Sequence, residues 1–266
     1  MGRGAPVTEA ELVDENLRAC FRALASERDA SLVRIVSGIE LISLGVRFQM
    51  FNGAFLSGPV LSEGELERRA ISADLHFGKA GLKWSFWLCD SFLQPGAVRR
   101  AGEAFARHDL RCATEMPGMI ALALPPAGHP LPDCEPRPID RGAVLQEFRE
   151  IGSSCFRVPL DWFSEVFDQR GTARTKFRAW VGYADGKAVA TAATVVSAGA
   201  IGLYNLATLP EYRSRGYGES LMRQCIAEEI REHGNRPIVL QSTRSGLSLY
   251  KRLGFRTVTR FRVFVR

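Results

Sequence analysis

The stretch Tyr212–Leu221, YRSRGYGESL, sets two glycines among arginines directly before a segment with helical periodicity. A helix start leaves backbone N–H groups unpaired, and the aligned peptide dipoles add partial positive charge there. Such a terminus takes anions, phosphates above all. Gly216 and Gly218 permit a sharp turn and let a ligand approach the backbone with no Cβ in the way. Arg213 and Arg215 add charge suited to a polyphosphate. The stretch therefore reads as a pyrophosphate cradle fed by the apolar strand LYNLATL, Leu203–Leu209.

Two familiar phosphate loops do not fit. GYADGKA, Gly182–Ala188, has the wrong spacing for GxxxxGK[ST] and no hydroxyl residue after Lys187. After Gly216-Tyr217-Gly218, the third glycine of a GxGxxG loop would fall on Leu221.

Around the cradle the chain alternates strand and helix signals. RGAVLQEFREIGSSCF and PLDWFSEVFDQ read as helices, the second opened by Pro159 and Asp161. FRAWVGYADGKAVATAATVV reads as a hairpin turned at ADGK, and AIGLYNLATL as the next strand. GESLMRQCIAEEIREHG is an amphipathic helix stopped by Gly234, RPIVLQST a short apolar strand, SGLSLYKRLG a short helix, and FRTVTRFRVFVR a final alternating strand. The fold class is a mixed α/β layer arrangement. Ala188–Pro210 carries no charge and is long enough to span a bilayer, but its Thr, Val and Tyr content and central SAGA read as two buried strands with a tight turn.

Pro125–Pro138 holds six of the chain's 13 prolines and reads as a linker that is neither helix nor central strand. It separates an N-terminal domain, residues 1–124, through a linker at 125–137, from a C-terminal domain, 138–266. The first half echoes the second. The segment from Asn52 and the segment from Asn205 each run strand, loop, helix, glycine break and apolar strand. Where the second has RSRGYG, the first has the acidic VLSEGEL, Val60–Leu66.

The 266 residues are 46% hydrophobic and 24% charged, with a net charge of +6, an ordinary soluble balance. The six cysteines and four histidines are scattered, which argues against a zinc site or a disulfide framework and fits reduced thiols in a cytosol. The N-terminus lacks a signal peptide's apolar core. Arg256, Arg260, Arg262 and Arg266 alternate with apolar residues as a solvated strand face, and no nucleic-acid motif accompanies them.

Arg213-x-x-Gly216-x-Gly218, between a strand and a long helix, resembles the acetyl-CoA motif [Q/R]-x-x-G-x-[G/A] of the GNAT superfamily of N-acetyltransferases. LYKRLGF, Leu249–Phe255, resembles the family's second signature, and the resemblance covers Pro138–Arg266. With the echo in the first half, it implies two GNAT-like domains in tandem, the N-terminal copy degenerate, each a mostly antiparallel sheet flanked by helices.

The resemblance assigns roles. Backbone amides from Arg215 through Gly216, Tyr217 and Gly218 to Glu219 would hold the pyrophosphate of acetyl-CoA, with Arg213, Ser214 and Arg215 alongside. Leu206, Ala207 and Thr208 would bind the pantetheine arm and polarise the thioester carbonyl. Tyr250 would protonate the departing thiolate. Thr243 stands where the family often has Asn. No Glu, Asp or His lies in AIGLYNLATL, so the base would be Tyr204, a water chain, or a carboxylate from Glu165, Asp168 or Asp90. Cys225 reads as core and Cys155 as a helix end, which leaves direct attack in a ternary complex ahead of a covalent thiol route. The expected protein is a cytoplasmic N-acetyltransferase for a small-molecule or peptide amine, monomeric or homodimeric, using neither metal, nucleic acid nor membrane. The alternative is a non-catalytic acyl-CoA-binding sensor.

Overall fold

The computed structural model describes residues 7–26, 28–140, 142–168 and 176–266 of the 266-residue chain. Helix α1 (Glu9–Ala25) opens on a reciprocal capping box: Thr8 Oγ1 accepts from the Glu11 N–H, and the Glu11 carboxylate accepts from the Thr8 N–H. Its buried side, Val13, Leu17, Phe21 and Leu24, repeats at the spacing of one helix face. An antiparallel meander follows, β1 (Leu32–Val36), β2 (Ile39–Ser43) and β3 (Asn52–Leu56). Helix α2 (Glu63–Lys79) crosses over to β4 (Ser85–Cys89), which runs parallel to β3. Helix α3 (Pro95–Ala106) and β5 (Arg111–Ala121) end the first half.

The second half repeats this plan. It begins with β6 (Glu135–Pro138), formed by the last residues of the proline-rich segment. Pairing with one neighbour only, β6 is an edge strand, where proline's missing N–H costs least. Helices α4 (Ala143–Phe156) and α5 (Leu160–Val166) precede a three-stranded meander, β7 (Phe177–Ala184), β8 (Lys187–Ser197) and β9 (Ala200–Thr208). The charge-free run is thus two adjacent strands, turned at Ala198 and Gly199 with φ of 53° and 81°. Helix α6 (Tyr217–His233) returns to β10 (Ile238–Gln241), parallel to β9, and helix α7 (Leu247–Arg252) leads into β11 (Arg256–Val265). No helix among the described residues is long and apolar enough to cross a membrane.

All these strands form one sheet, in the order β1-β2-β3-β4-β11-β5-β10-β9-β8-β7-β6. Its centre is an exchange. The final strand, β11, pairs with β4 of the first half, and β5 pairs with β10 of the second. The two exchanged strands also pair with each other along most of their length. Helices α1, α4 and α5 pack on one face of this sheet, and α2, α3, α6 and α7 on the other. From the first half, α1 reaches across to the second. Asn16 Nδ2 donates to the carbonyls of Val195 (3.2 Å) and Ser197 (3.0 Å) at the end of β8.

Candidate functional site

The site is built where β9 and β10 part. Their parallel pairing consists of Ile238 with Ile201 and Val239 with Gly202, and β10 pairs with nothing on β9 beyond Gly202. On its other side β9 stays paired to β8 as far as Thr208. Leu203 to Thr208 therefore present one backbone edge to an open gap. A bulge lies within this stretch: Tyr204 and Ala207, three residues apart, pair with Ala193 and Thr191, two apart. Asn205 takes up the extra residue with φ 48°, and Thr191 Oγ1 donates to its carbonyl at 2.8 Å.

Beyond β9 the chain makes a short 3-10 turn, Pro210–Tyr212, and enters α6 through Gly216, whose φ is 89°. No side chain caps this helix start, so its first-turn N–H groups face outward unmet. Two close approaches demand glycine. A Cβ on Gly216 would lie 2.9 Å from Pro132 Cδ, and one on Gly218 would lie 2.7 Å from Thr208 Oγ1. The proline-rich segment is tied down along α6. Ser220 Oγ donates to the Pro132 carbonyl (3.0 Å), Gln224 Nε2 to that of Cys134 (2.8 Å), and Arg223 Nη1 to that of Pro125 (2.7 Å). The proline-rich segment therefore walls one side of this helix start.

The matching helix start in the first half is closed. Ser62 caps α2 by accepting from the Glu65 N–H, and Glu65 Oε2 accepts from the Leu61 N–H at 2.9 Å. Arg69 fills the loop, donating to the carbonyls of Gly58 (2.8 Å) and Pro59 (2.9 Å). Glu63 and Glu65 add negative charge to the first turn. The two carboxylates make the field there unfavourable to an added anion.

Residues 175–257 match a family model described as an acetyltransferase (GNAT) domain. These residues are similar to a GNAT domain. In fold, the whole chain is similar to a GCN5-related N-acetyltransferase from Kribbella flavida, with 16% identity, a TM-score of 0.71, and 98% of this chain and 96% of that one covered. A functionally unknown conserved protein from Staphylococcus epidermidis matches at 10% identity and a TM-score of 0.66, covering 90% and 94%. A tandem GNAT protein from the clavulanic acid biosynthesis pathway matches at 12% identity and a TM-score of 0.53, covering 98% and 96%. No curated protein sequence matches.

Within the matched residues the expected site positions fall in two groups. Leu203, Leu206, Met222, Leu240 and Tyr250 share one apolar cluster under α6 and α7, which sets the tyrosine on the same face as the gap and the cradle. Tyr250 is 9% exposed and packs edge-on against Phe255. Burial pushes its pKa well up, so the hydroxyl keeps its proton at neutral pH. Thr243 stands beside it: an added Cβ on Gly246 would lie 2.9 Å from the Tyr250 ring and 3.5 Å from Thr243 Oγ1. The Thr243 hydroxyl accepts from the Gly246 N–H at 3.3 Å, serving the start of α7.

The arginines are less committed to the cradle than their spacing implies. Arg213 Nε donates to the Thr208 carbonyl at 2.9 Å, bracing the strand end, and its side chain is exposed. Arg215 is exposed, with its guanidinium 5.9 Å from the Tyr212 ring centre. Ser214 turns the loop at φ 60°. Glu219 is drawn back along α6 by Arg223 at 2.9 Å.

Each candidate base is engaged elsewhere. Tyr204 donates to Asn16 Oδ1 at 2.6 Å, and burial raises its pKa far above the ordinary value, so it holds its proton. Glu165 accepts from the Arg47 N–H and its guanidinium. Asp168 is 3.3 Å from Arg28, and Asp90 binds both Arg260 and Arg262. Glu165 and Asp168 line a charged cavity of about 620 Å³ with Arg28, Arg47 and Asp161, and no cradle residue lines it. Cys225 is buried with its pKa raised by that burial, as a core thiol. Cys155 lies close to the gap, its Sγ donating to the Thr208 carbonyl at 3.4 Å. No imidazole or carboxylate among the described residues hydrogen-bonds it. One described group, Glu229, Glu232 and His233, brings metal-type ligand atoms together, and Arg178 already pairs with both carboxylates.

Sequence reasoning missed three residues here. Asn16 and Asp14 sit on a helix that the sequence reading did not identify, although Thr8 and Glu11 mark its start. Asn205 is the one amide in an otherwise apolar strand, a signal that the reading passed over.

Proposed function

We propose that the protein is an acetyl-CoA-dependent N-acetyltransferase acting on a primary amine, either a small molecule or a peptide. The observation that carries this reading is the uncapped, glycine-started helix beside a strand that has lost its neighbour. The helix start offers N–H groups to a pyrophosphate, and the strand edge offers hydrogen bonds to the extended pantetheine arm. On this reading residues 138–266 form the catalytic lobe. Residues 1–124 wall the acceptor pocket, and 125–137 link them while closing one side of the cradle.

The neutral amine attacks the thioester carbon in a ternary complex. Strand amides between Leu206 and Thr208 stabilise the oxyanion. The tetrahedral adduct then collapses: the C–S bond breaks as Tyr250 delivers its proton to the sulfur, and the proton lost from the ammonium passes through water to restore the tyrosine hydroxyl. Tyr250 is protonated at neutral pH, as a donor must be, and the absence of a thiol–base pair at Cys155 favours direct attack. One observation favours a second reading, a non-catalytic acyl-CoA-binding module: every carboxylate considered as a base is already ion-paired.

Calorimetric titration of acetyl-CoA into the protein, beside an Arg213→Ala/Gly216→Glu variant, tests the proposal. Binding by the wild type that the variant loses supports the cradle, and an amine screen for CoA release then separates enzyme from sensor. A wild type that binds no acetyl-CoA sinks the reading.

A further inference from the structure

Among the described residues, three buried side-chain polar atoms lack a hydrogen-bond partner: Asp14 Oδ1, Asn205 Nδ2 and Arg262 Nη2. Native proteins satisfy nearly all such atoms, so each one calls for a reason. Arg262 Nη2 lies 2.6 Å from the Asp90 carboxylate and is ion-paired. Asp14 shares its carboxylate with Arg18. Asn205 stands apart from both, because it lies in the open stretch of β9.

Its setting is unusual in three respects. The residue occupies a β-bulge in a left-handed conformation, a form that Asn tolerates better than most side chains. The bulge begins two residues after the last β9–β10 pair, at the mouth of the gap. Thr191 holds the Asn205 carbonyl, and the side chain of the neighbouring Tyr204 is held by Asn16. A strained backbone, rigidly braced, with an unmet donor is costly to the free protein. Such features belong to sites where a ligand completes the bonding.

We infer that Asn205 is a ligand-contact residue whose Nδ2 donates to a carbonyl oxygen of the bound acyl-CoA at the β9–β10 gap. The inference rests on the acyl-CoA reading above. The carbonyl belongs either to the thioester or to a pantetheine amide, since both enter this gap in that reading. The contact leaves the backbone amides of Leu206–Thr208 free for their own role.

The test uses the full chain and two variants. Asn205→Gly keeps the left-handed backbone and removes the amide, and Asn205→Asp keeps the shape and removes both donor hydrogens. Because Nδ2 bonds to nothing in the free protein, Asn205→Gly is expected to unfold at the wild-type temperature or slightly above. Its Kd for acetyl-CoA, and that of Asn205→Asp, is expected to rise about tenfold, the effect of one hydrogen bond gained on binding. Titration with CoA alone locates the carbonyl: an unchanged Kd for CoA assigns the thioester, and an equal loss assigns a pantetheine amide. The inference is overturned if the wild type binds acetyl-CoA and both variants match it within twofold. It is equally overturned if Asn205→Gly loses thermal stability while keeping its affinity, which marks a structural role. If the wild type binds no acetyl-CoA, the acyl-CoA reading falls first and takes this inference with it.

Discussion

Asp14 is the most informative residue to perturb in the free protein. It lies 1% exposed on α1, with Arg18 Nε at 2.9 Å from one oxygen and no partner for the other. Burial outweighs the arginine and pushes its pKa up to about 7. In the unfolded chain the same carboxyl ionises near its ordinary value of about 4. Between those limits the unfolded state binds fewer protons than the folded one, so stability falls as pH rises from about 4 to about 7 and is level above. At about 1.4 kcal/mol per pKa unit, the accumulated penalty is about 1.5 kcal/mol at pH 5 and about 4 kcal/mol at pH 8. Asp14→Asn abolishes this dependence. Its carboxamide still accepts from Arg18, and Arg18 keeps Glu15 and Glu40. Urea unfolding followed by circular dichroism at pH 5 and pH 8 reads the result. The stability of the variant relative to wild type is expected to improve by about 2.5 kcal/mol between the two. An identical difference at both pH values, or a relative loss at pH 8, refutes the reasoning.

Two further predictions follow from single contacts. Tyr250→Phe is expected to lower kcat by about a hundredfold with the Kd for acetyl-CoA unchanged, in steady-state assays paired with calorimetry; an equal loss in both would mean that the hydroxyl binds rather than donates its proton. Glu229 is fully buried, accepts from the Thr194 hydroxyl at 2.6 Å and pairs with Arg178 at 3.2 Å. Glu229→Ala strands that hydroxyl and is expected to cost about 2–3 kcal/mol, or about 5–10 °C in the unfolding temperature by scanning calorimetry.

The second half was legible in the sequence because its signals are local. The turn at Asp185–Gly186, the stop at Gly234 and the alternation in FRTVTRFRVFVR each report on the backbone within a few residues. The same alternation says that Phe261 and Val263 share a face, but nothing in it says that their neighbours are Cys89 and Trp87 of the first half. Partner choice in a sheet is a long-range property, and the exchange of β5 and β11 was invisible for that reason. The loop before α6 was legible through its glycines: Gly216 turns at φ 89°, and both make close contacts that an added Cβ would disturb. The candidate bases were not, since a carboxylate's availability depends on which arginine the fold sets beside it. Arg47 lies 118 positions from Glu165, and Arg260 lies 170 from Asp90.

The exchanged strands also bear on how the molecule is made. Synthesis delivers β1 to β5 early, and an ordinary first domain would close its sheet while the rest was still being translated. Here β4 waits for β11, which lies far downstream of it, and β5 reaches its other partner, β10, only shortly before. The middle of the sheet is therefore the last part to be completed, and until then the growing chain carries the open edge of β4 along with it.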